Sequence, residues 1–509
     1  MAQQLQNVTL AAPGFGGINT QDSPLLQSQS FSAICDNAVI DKQGRIAARN
    51  GYTIVPSNAS SVITSGDGVE MVSEFVQQNG TKIMFSAASN KIFTGTTTLV
   101  DVTPSGYTIS ANKWDTCSIA NKFFLFQKGH FPLVYDASTS ALTKIVDHGS
   151  AAGVPPSANI CVAAYGRVWA ADTTTDQKTI YWSDLLDGVD WSGGSSGSLD
   201  LTNVWPNGYD TIQSIQAHNN LLVIYGKNSI LVYAGANSPS TMVLQDTIKN
   251  IGAVNRDCVV STGVDLIYVD STGVRSLGRT IQEKSAPIGD ISRNVDNDIR
   301  RFILSDGANI RTIYDPQNAF IIVSFSGIGV VYVFDTRAPL QDGSLRTTTW
   351  SSIDPLSMTV NADEELLIGV TGGWGKYTGQ QDNGQDYELS YFTHPLDFGD
   401  SSRSKFLKKI NLTTFQGSNA RVVLQWGFDY VDDFTKSAFR LATINAGQYN
   451  ISEFNTSAEY AKSPVLINTQ RVNARGSGAV VTIGLTSTVA GQPLAIQQLN
   501  VYSLVGRIV

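Results

Sequence analysis

The sequence predicts an all-β protein, a six- or seven-bladed β-propeller followed by a C-terminal β-sandwich. Three observations predict it. Charged residues make up only 15% of the 509, against roughly 25% in ordinary soluble domains, and Ser, Thr, Asn, Gln and 45 Gly replace them. Such a chain favours strands joined by many turns and opposes long solvated helices, whose outer faces need Glu, Lys and Arg. Short apolar runs bounded by Gly, Asn, Asp and Ser also come in pairs. The pairs recur, with first members starting near residues 83, 123, 167, 221, 266, 320 and 366, at spacings of 40, 44, 54, 45, 54 and 46. One propeller blade, four short antiparallel strands with their turns, consumes about 40–50 residues.

Residues 1–60 carry few strand signals and hold loop phrases such as Pro13-Gly14 and Asp22-Ser23-Pro24. They are expected to form an arm that packs on the body or on a neighbour. Residues 61–395 form the propeller. Its paired runs are 82–85 with 91–93, 123–126 with 133–135, 167–170 with 180–182, 221–225 with 230–233, 266–269 with 273–277, 320–323 with 330–334, and 366–369 with 375–377. The second run tends to end on a large aromatic (Phe93, Tyr135, Trp182, Tyr233, Phe334, Tyr377), which suits the broad outer part of a blade. The Gly/Ser-rich stretch 191–198 reads as a loop between the third and fourth blades. Residues 396–509 form the sandwich, with strands expected at 405–412, 422–426, 479–485 and 495–502.

Hydrophobic residues at 42% supply a sizeable core. The net charge of −8 opposes a protein that grips nucleic acid through a broad basic face. It does not oppose one that lets a polyanion pass without holding it. Cys35, Cys117, Cys161 and Cys258 stand 82, 44 and 97 residues apart, with no CxxC or Cys–His cluster, so buried free thiols are expected rather than a zinc site. The start MAQQLQNVTLAAPG has neither a basic n-region nor an apolar h-region, so no signal peptide is expected. No apolar run approaches the ~18 residues of a spanning helix.

The search for chemistry predicts no catalytic residue, no metal site and no cofactor. His130, His148, His218 and His394 are dispersed and none sits in a ligand motif. Gly193-Gly194-Ser195-Ser196-Gly197 matches GxSxG formally, but no strand-to-helix elbow follows it. The acidic groups Asp184, Asp187, Asp190 and Asp429, Asp432, Asp433 read as turn residues that satisfy backbone amides. The densest basic cluster, Arg403, Lys405, Lys408 and Lys409, is the one candidate contact to phosphate or to an acidic partner; the alternative is the solvated face of a strand.

Several phrases, in order along the chain, resemble the tail nozzle (tail tube, packaged-DNA stabilisation) proteins of short-tailed bacteriophages. Phe15-Gly16-Gly17-Ile18-Asn19 and Asp22-Ser23-Pro24 precede a phrase N-x-x-x-D-x-x-G-x-x-x-x-R-x-G, here Asn37, Asp41, Gly44, Arg49 and Gly51. Further on come Ile251-Gly252-Ala253-Val254, Tyr314-Asp315-Pro316, Tyr332-Val333-Phe334-Asp335, Tyr391-Phe392-Thr393-His394-Pro395 and Gly506-Arg507-Ile508. The resemblance implies a non-enzymatic virion protein made in the host cytoplasm. It implies a homo-hexamer at the distal end of the tail, below the adaptor ring, with contacts for tail fibres or tailspikes. Double-stranded DNA would pass its lumen without sequence recognition, held until ejection. An acidic chain suits such a lumen, because a basic wall would bind phosphates tightly. Two other roles remain open for a propeller, a receptor- or glycan-binding tail component and a polysaccharide-degrading enzyme. The enzyme would need two or three carboxylates in a central funnel.

Overall fold

A computed structural model describes residues 5–508 apart from 25–26, 150, 207, 284–289 and 443–466. Its first body is a propeller. Seven blades follow one another along the chain: five are four-stranded sheets, the fifth blade is three-stranded, and the sixth is four antiparallel strands of a ten-stranded sheet. Their innermost strands neighbour each other in a closed ring, in the order Met71–Val76, Asp115–Ile119, Ala158–Ala164, Ile212–His218, Val259–Ser261, Ile310–Asp315, Ser357–Val360 and back to the first.

All seven predicted pairs are the second and third strands of these blades, for example Lys122–Phe126 with Leu133–Asp136. These middle strands are covered on both faces by adjacent blades, so both side-chain sets of the period-2 alternation are apolar. Phe123 and Leu125 pack toward the first blade, while Phe124 and Phe126 pack toward the third. Each of the seven junctions between blades holds one apolar cluster. The six aromatics that end the third strands are all buried there. Tight hairpins use residues that tolerate the left-handed region, such as Asn219 and Asn220 with φ of 48° and 62°.

The irregular spacing has physical causes. Among the described residues the fifth blade has three strands, and helices Leu277–Glu283 and Asp296–Asp306 follow them. Ile299 and Ile303, one turn apart, anchor the second helix in the core. Stretch 191–198 does not join the third and fourth blades. It lies within the third blade, between its third strand and the fourth, Gly197–Asp200.

The second body is built from two sheets that share one core. One sheet joins Leu5–Ala11, Ala38–Ile40, Ile46–Ala48, Arg403–Gln416, Ile467–Val472 and Leu494–Ile508. The other joins Gly17–Ile18, Phe31–Asp36, Tyr387–Thr393, Arg421–Phe428, Thr435–Arg440 and Val481–Val489, and continues into the sixth blade through Arg346–Trp350. All four predicted sandwich strands are present. Part of the predicted sandwich, 443–466, falls outside the described residues.

The first 60 residues hold far more strand than their sequence signals. Six strands lie between Leu5 and Ile54; they feed both sheets, and the last, Tyr52–Ile54, becomes the fourth strand of the seventh blade. Three of them have three residues and one has two, too short for periodicity to reveal.

The phrase from Asn37 to Gly51 builds the joint between the two bodies. Arg49 is wholly buried and forks onto Asp382, with Nη1 and Nη2 donating to the two carboxylate oxygens at 2.8 and 2.6 Å. Its Nε donates to Asn37 Oδ1 at 3.1 Å, and its guanidinium lies 4.1 Å from the centre of the Tyr387 ring. Asn37 also donates to the Glu388 carbonyl and accepts from the Ser352 hydroxyl. Asp41 accepts from the Arg45 amide and guanidinium, closing a turn whose Gly44 has φ +74° and packs on Pro13. A Cβ on Gly51 would stand 1.9 Å from the Gln381 carbonyl oxygen, so only glycine fits.

Asp382→Ala leaves the Arg49 charge buried and unpaired. It is expected to cost about 3–5 kcal/mol, read as a lowered unfolding midpoint. Replacing both partners by apolar residues of similar volume is expected to recover much of that loss.

Candidate functional site

The seven innermost strands surround a channel, and at one mouth of it the ring brings together charges from distant segments. Lys113 and Asp115 stand where the chain enters the second blade, Asn159 where it enters the third, and Arg311 at the start of the sixth. Arg256 and Asp257 lie in a short 3-10 helix, Arg256–Cys258, capped by Asn255, whose Oδ1 accepts from the Asp257 amide at 2.8 Å. Asp257 is the hub. Lys113 Nζ, Arg256 Nε and Arg311 Nη1 approach its carboxylate at 2.9, 3.2 and 3.2 Å. Arg256 Nη1 also donates to the carbonyl and side-chain oxygens of Asn159, at 2.5 and 2.8 Å. Asn159 in turn donates to Asp172, which Lys128 meets at 2.5 Å.

These contacts set the protonation states. Burial alone would raise Asp257, but Arg256, Lys113 and Arg311 more than offset it and hold the carboxyl well below the usual range. Burial pulls the Lys113 ammonium down, with Asp257 opposing. Asp115 has weaker compensation. It accepts from the Cys161 and Thr116 amides at 2.7 and 3.0 Å, yet burial, only partly opposed by Arg256, pushes it up to about 6.

The network borders a cavity of about 230 Å³ whose wall includes Glu70, Trp114, Asp115, Gln216, Arg256 and Arg311. The Trp114 indole N–H is buried and has no hydrogen-bond partner among the described residues. A sphere of this volume is about 8 Å across, narrower than the roughly 12 Å major groove of B-DNA alone. The cavity can hold a small polar solute or water; it cannot pass a duplex.

None of the network residues stands out in sequence. They are single charged residues beside strand starts, and only ring closure makes them neighbours. The residues that do stand out lie elsewhere. Of the basic cluster, Lys405 corrects the expectation of a surface contact: it is 1% exposed, and its ammonium donates to the carbonyls of Asp400 and Ala479. Burial lowers its pKa. The bulge between Arg403 and Lys405 breaks the simple alternation and turns this side chain inward. Arg403 pairs with Asp400 at 3.2 Å, Lys408 is exposed, and Lys409 sits 4.2 Å over the Tyr502 ring.

The formal GxSxG serine is a turn residue, since Ser195 donates through both its amide and hydroxyl to Asp184 at 2.8 Å. Asp190 accepts from the amides of Ser192 and Gly193 and Asp187 from that of Val189, all local turn contacts, whereas Asp429 accepts from the distant amides of Ala479 and Val480. His148 meets Asp136 at 3.0 Å, His130 meets Ser110 at 2.7 Å, His218 meets Asn219 at 2.9 Å, and buried His394 meets the Asn19 carbonyl at 3.1 Å. The four cysteines are free thiols; Cys35, Cys161 and Cys258 are buried, and burial pushes Cys258 up to about 12.

No family model matches the chain, and no curated protein matches it. Among solved structures, the chain is similar to YCF48 bound to a D1 peptide, at 10% identity and a TM-score of 0.39, covering 65% of this chain and 95% of that one. It is similar to PorZ, a surface component of the type-IX secretion system of Porphyromonas gingivalis, at 10% identity and a TM-score of 0.35, covering 64% and 37%. A third likeness is to an exo-beta-1,3-galactanase from Phanerochaete chrysosporium, at 9% identity and a TM-score of 0.27, covering 90% and 100%. At these values the propeller assignment stands on the sheet topology itself.

Two outcomes are expected. The folded pKa of Asp115 lies above its unfolded value, so the native state holds the extra proton between about pH 4 and 6, and ionisation costs stability above that window. Asp115→Asn removes this cost. Denaturant melts should show the variant gaining on the parent chain between pH 5 and pH 7.5, by on the order of 1–3 kcal/mol. For the basic cluster, Lys405→Ala should cost about 1–3 kcal/mol by orphaning two carbonyls, while Lys408→Ala should stay within about 0.5 kcal/mol.

Proposed function

We propose that this chain is a structural, non-enzymatic ring subunit of a short phage tail, a nozzle that retains packaged DNA and conducts it on ejection. One observation carries the reading. The phrase on which the resemblance rests, Asn37 to Gly51, is the joint that locks the propeller to the two-sheet unit through Arg49 and Asp382. A sheet running from the sixth blade into the second body adds a continuous backbone connection. A subunit so tied is suited to bear load within a ring. The narrow propeller channel means that DNA must run between subunits, so the reading requires an assembly, with a homo-hexamer as the expected form. Neighbours above and outside would be the adaptor ring and the tail fibres or tailspikes. The acidic balance of the chain weakens phosphate binding along such a lumen.

A second reading, a receptor- or glycan-binding propeller, is favoured by the polar cavity beside Trp114, Asp115 and Glu70. Mixed donors and acceptors in a small concavity suit a hydroxylated ligand.

Electron microscopy with two-dimensional averaging separates the two, on the purified chain and on the chain mixed with the other tail proteins. Six-fold rings with an open centre are expected. Single discs under both conditions overturn the nozzle reading, and saturable glycan binding lost in Trp114→Ala would then support the second.

A further inference from the structure

We propose that the end of the two-sheet unit carries an oxyanion site built on Arg421 and Arg440, taking a phosphate group. The two residues are direct cross-strand partners on Arg421–Phe428 and Thr435–Arg440. Side chains so placed share one face, with Cβ atoms about 5 Å apart, and like charges in that position repel. Both arginines line a concavity of about 370 Å³ with Asn419, Thr488 and Gln492, and among the described residues no carboxylate is in its wall. Neither guanidinium forms an ion pair among the described residues. The next step of the register beyond Val422 and Ser487 sets Thr488 beside Arg421, and Thr488 in turn opposes Glu388. The nearest carboxylate along that row is thus two strand spacings, about 10 Å, from Arg421.

The wall is preformed. The turn from Gln416 to Ala420 is closed by the Ala420 amide on the Gly417 carbonyl at 3.0 Å and pinned by the Gly417 amide on Pro493 at 2.8 Å. Arg440 Nη1 donates to the Asn419 carbonyl at 3.2 Å, which steers its guanidinium over this turn. Two guanidinium groups on facing positions, in a wall that also holds Asn419, Thr488 and Gln492, match the several acceptor oxygens and double charge of a phosphate. Two facing arginines run against the sign of a chain of net charge −8. A bound dianion would remove the repulsion that the register imposes. The phosphate could be free, or could belong to a nucleic acid backbone.

The test is calorimetric titration of inorganic phosphate into the full chain at low ionic strength, with the parent chain, Arg421→Gln, Arg440→Gln and Arg440→Lys. Saturable binding is expected, displaced by sulfate but not by chloride. Each glutamine variant should weaken it about tenfold or more, and the lysine variant less. Without phosphate the glutamine variants should melt at or slightly above the parent temperature, which separates lost binding from lost folding. A short DNA duplex that displaces phosphate would identify a backbone phosphodiester as the source; failure to displace would identify a free phosphate or monoester. No heat of binding in the parent chain, or equal binding by both glutamine variants, overturns the proposal.

Discussion

Closure governs this structure. A propeller is a sheet stack bent into a ring, and the ring must be sealed where the chain begins and ends. Here the seal is the three-residue strand Tyr52–Ile54, donated from before the first blade to the edge of the seventh. So short a strand cannot hold its place by ladder hydrogen bonds alone. The bidentate pair of Arg49 and Asp382, three residues before Tyr52–Ile54 and five after the strand Gly373–Tyr377 beside it, fixes it from both sides. Asn37, the Asn50 carbonyl and Ser352 accept further hydrogen bonds from the Arg49 guanidinium, which lies over the Tyr387 ring. A buried charge pair contributes specificity when every group is satisfied, and here it fixes the register of the seal.

The same segment makes the two bodies one mechanical unit. Strands between Leu5 and Ala48 enter both sheets of the second body before the chain crosses to close the propeller. The sixth blade shares its sheet with that body, so its fourth strand, Arg346–Trp350, is not a free outer edge. Twisting the propeller against the second body would therefore break backbone ladders rather than slide side chains. That stiffness suits the proposed ring subunit, and it is equally a sound mount for a binding face.

The channel illustrates how a propeller concentrates polarity. Apolar side chains fill the junctions between blades, while first strands leave one face toward the axis. Charges there lie in a confined space and must neutralise each other. Around Asp257 three cations meet one carboxylate, and burial, only partly opposed by Arg256, raises the pKa of Asp115. The outcome is a small polar cavity walled by the innermost strands.

Sequence alone determined the all-β class, the seven paired strands and the four main strands of the second body. Those strands are buried on both faces or alternate cleanly, so burial is written directly into residue order. It also determined that Ser195, Asp184 and Asp190 belong to turns, because the residue types that satisfy local amides do so wherever they sit. Tertiary structure decided the rest. First and fourth strands face a channel or an edge and carry mixed residues without a local signature. Of the two- and three-residue strands of the first 54 positions, three pair with distant partners: Gly17 with Thr347, Ala47 with Ala495 and Tyr52 with Tyr377. Lys405 reads as a surface charge until a bulge turns it inward. The Asp257 cluster and the facing arginines 421 and 440 join residues from separate segments. Their proximity is set by ring closure and strand register, which are long-range quantities that no window of the sequence contains.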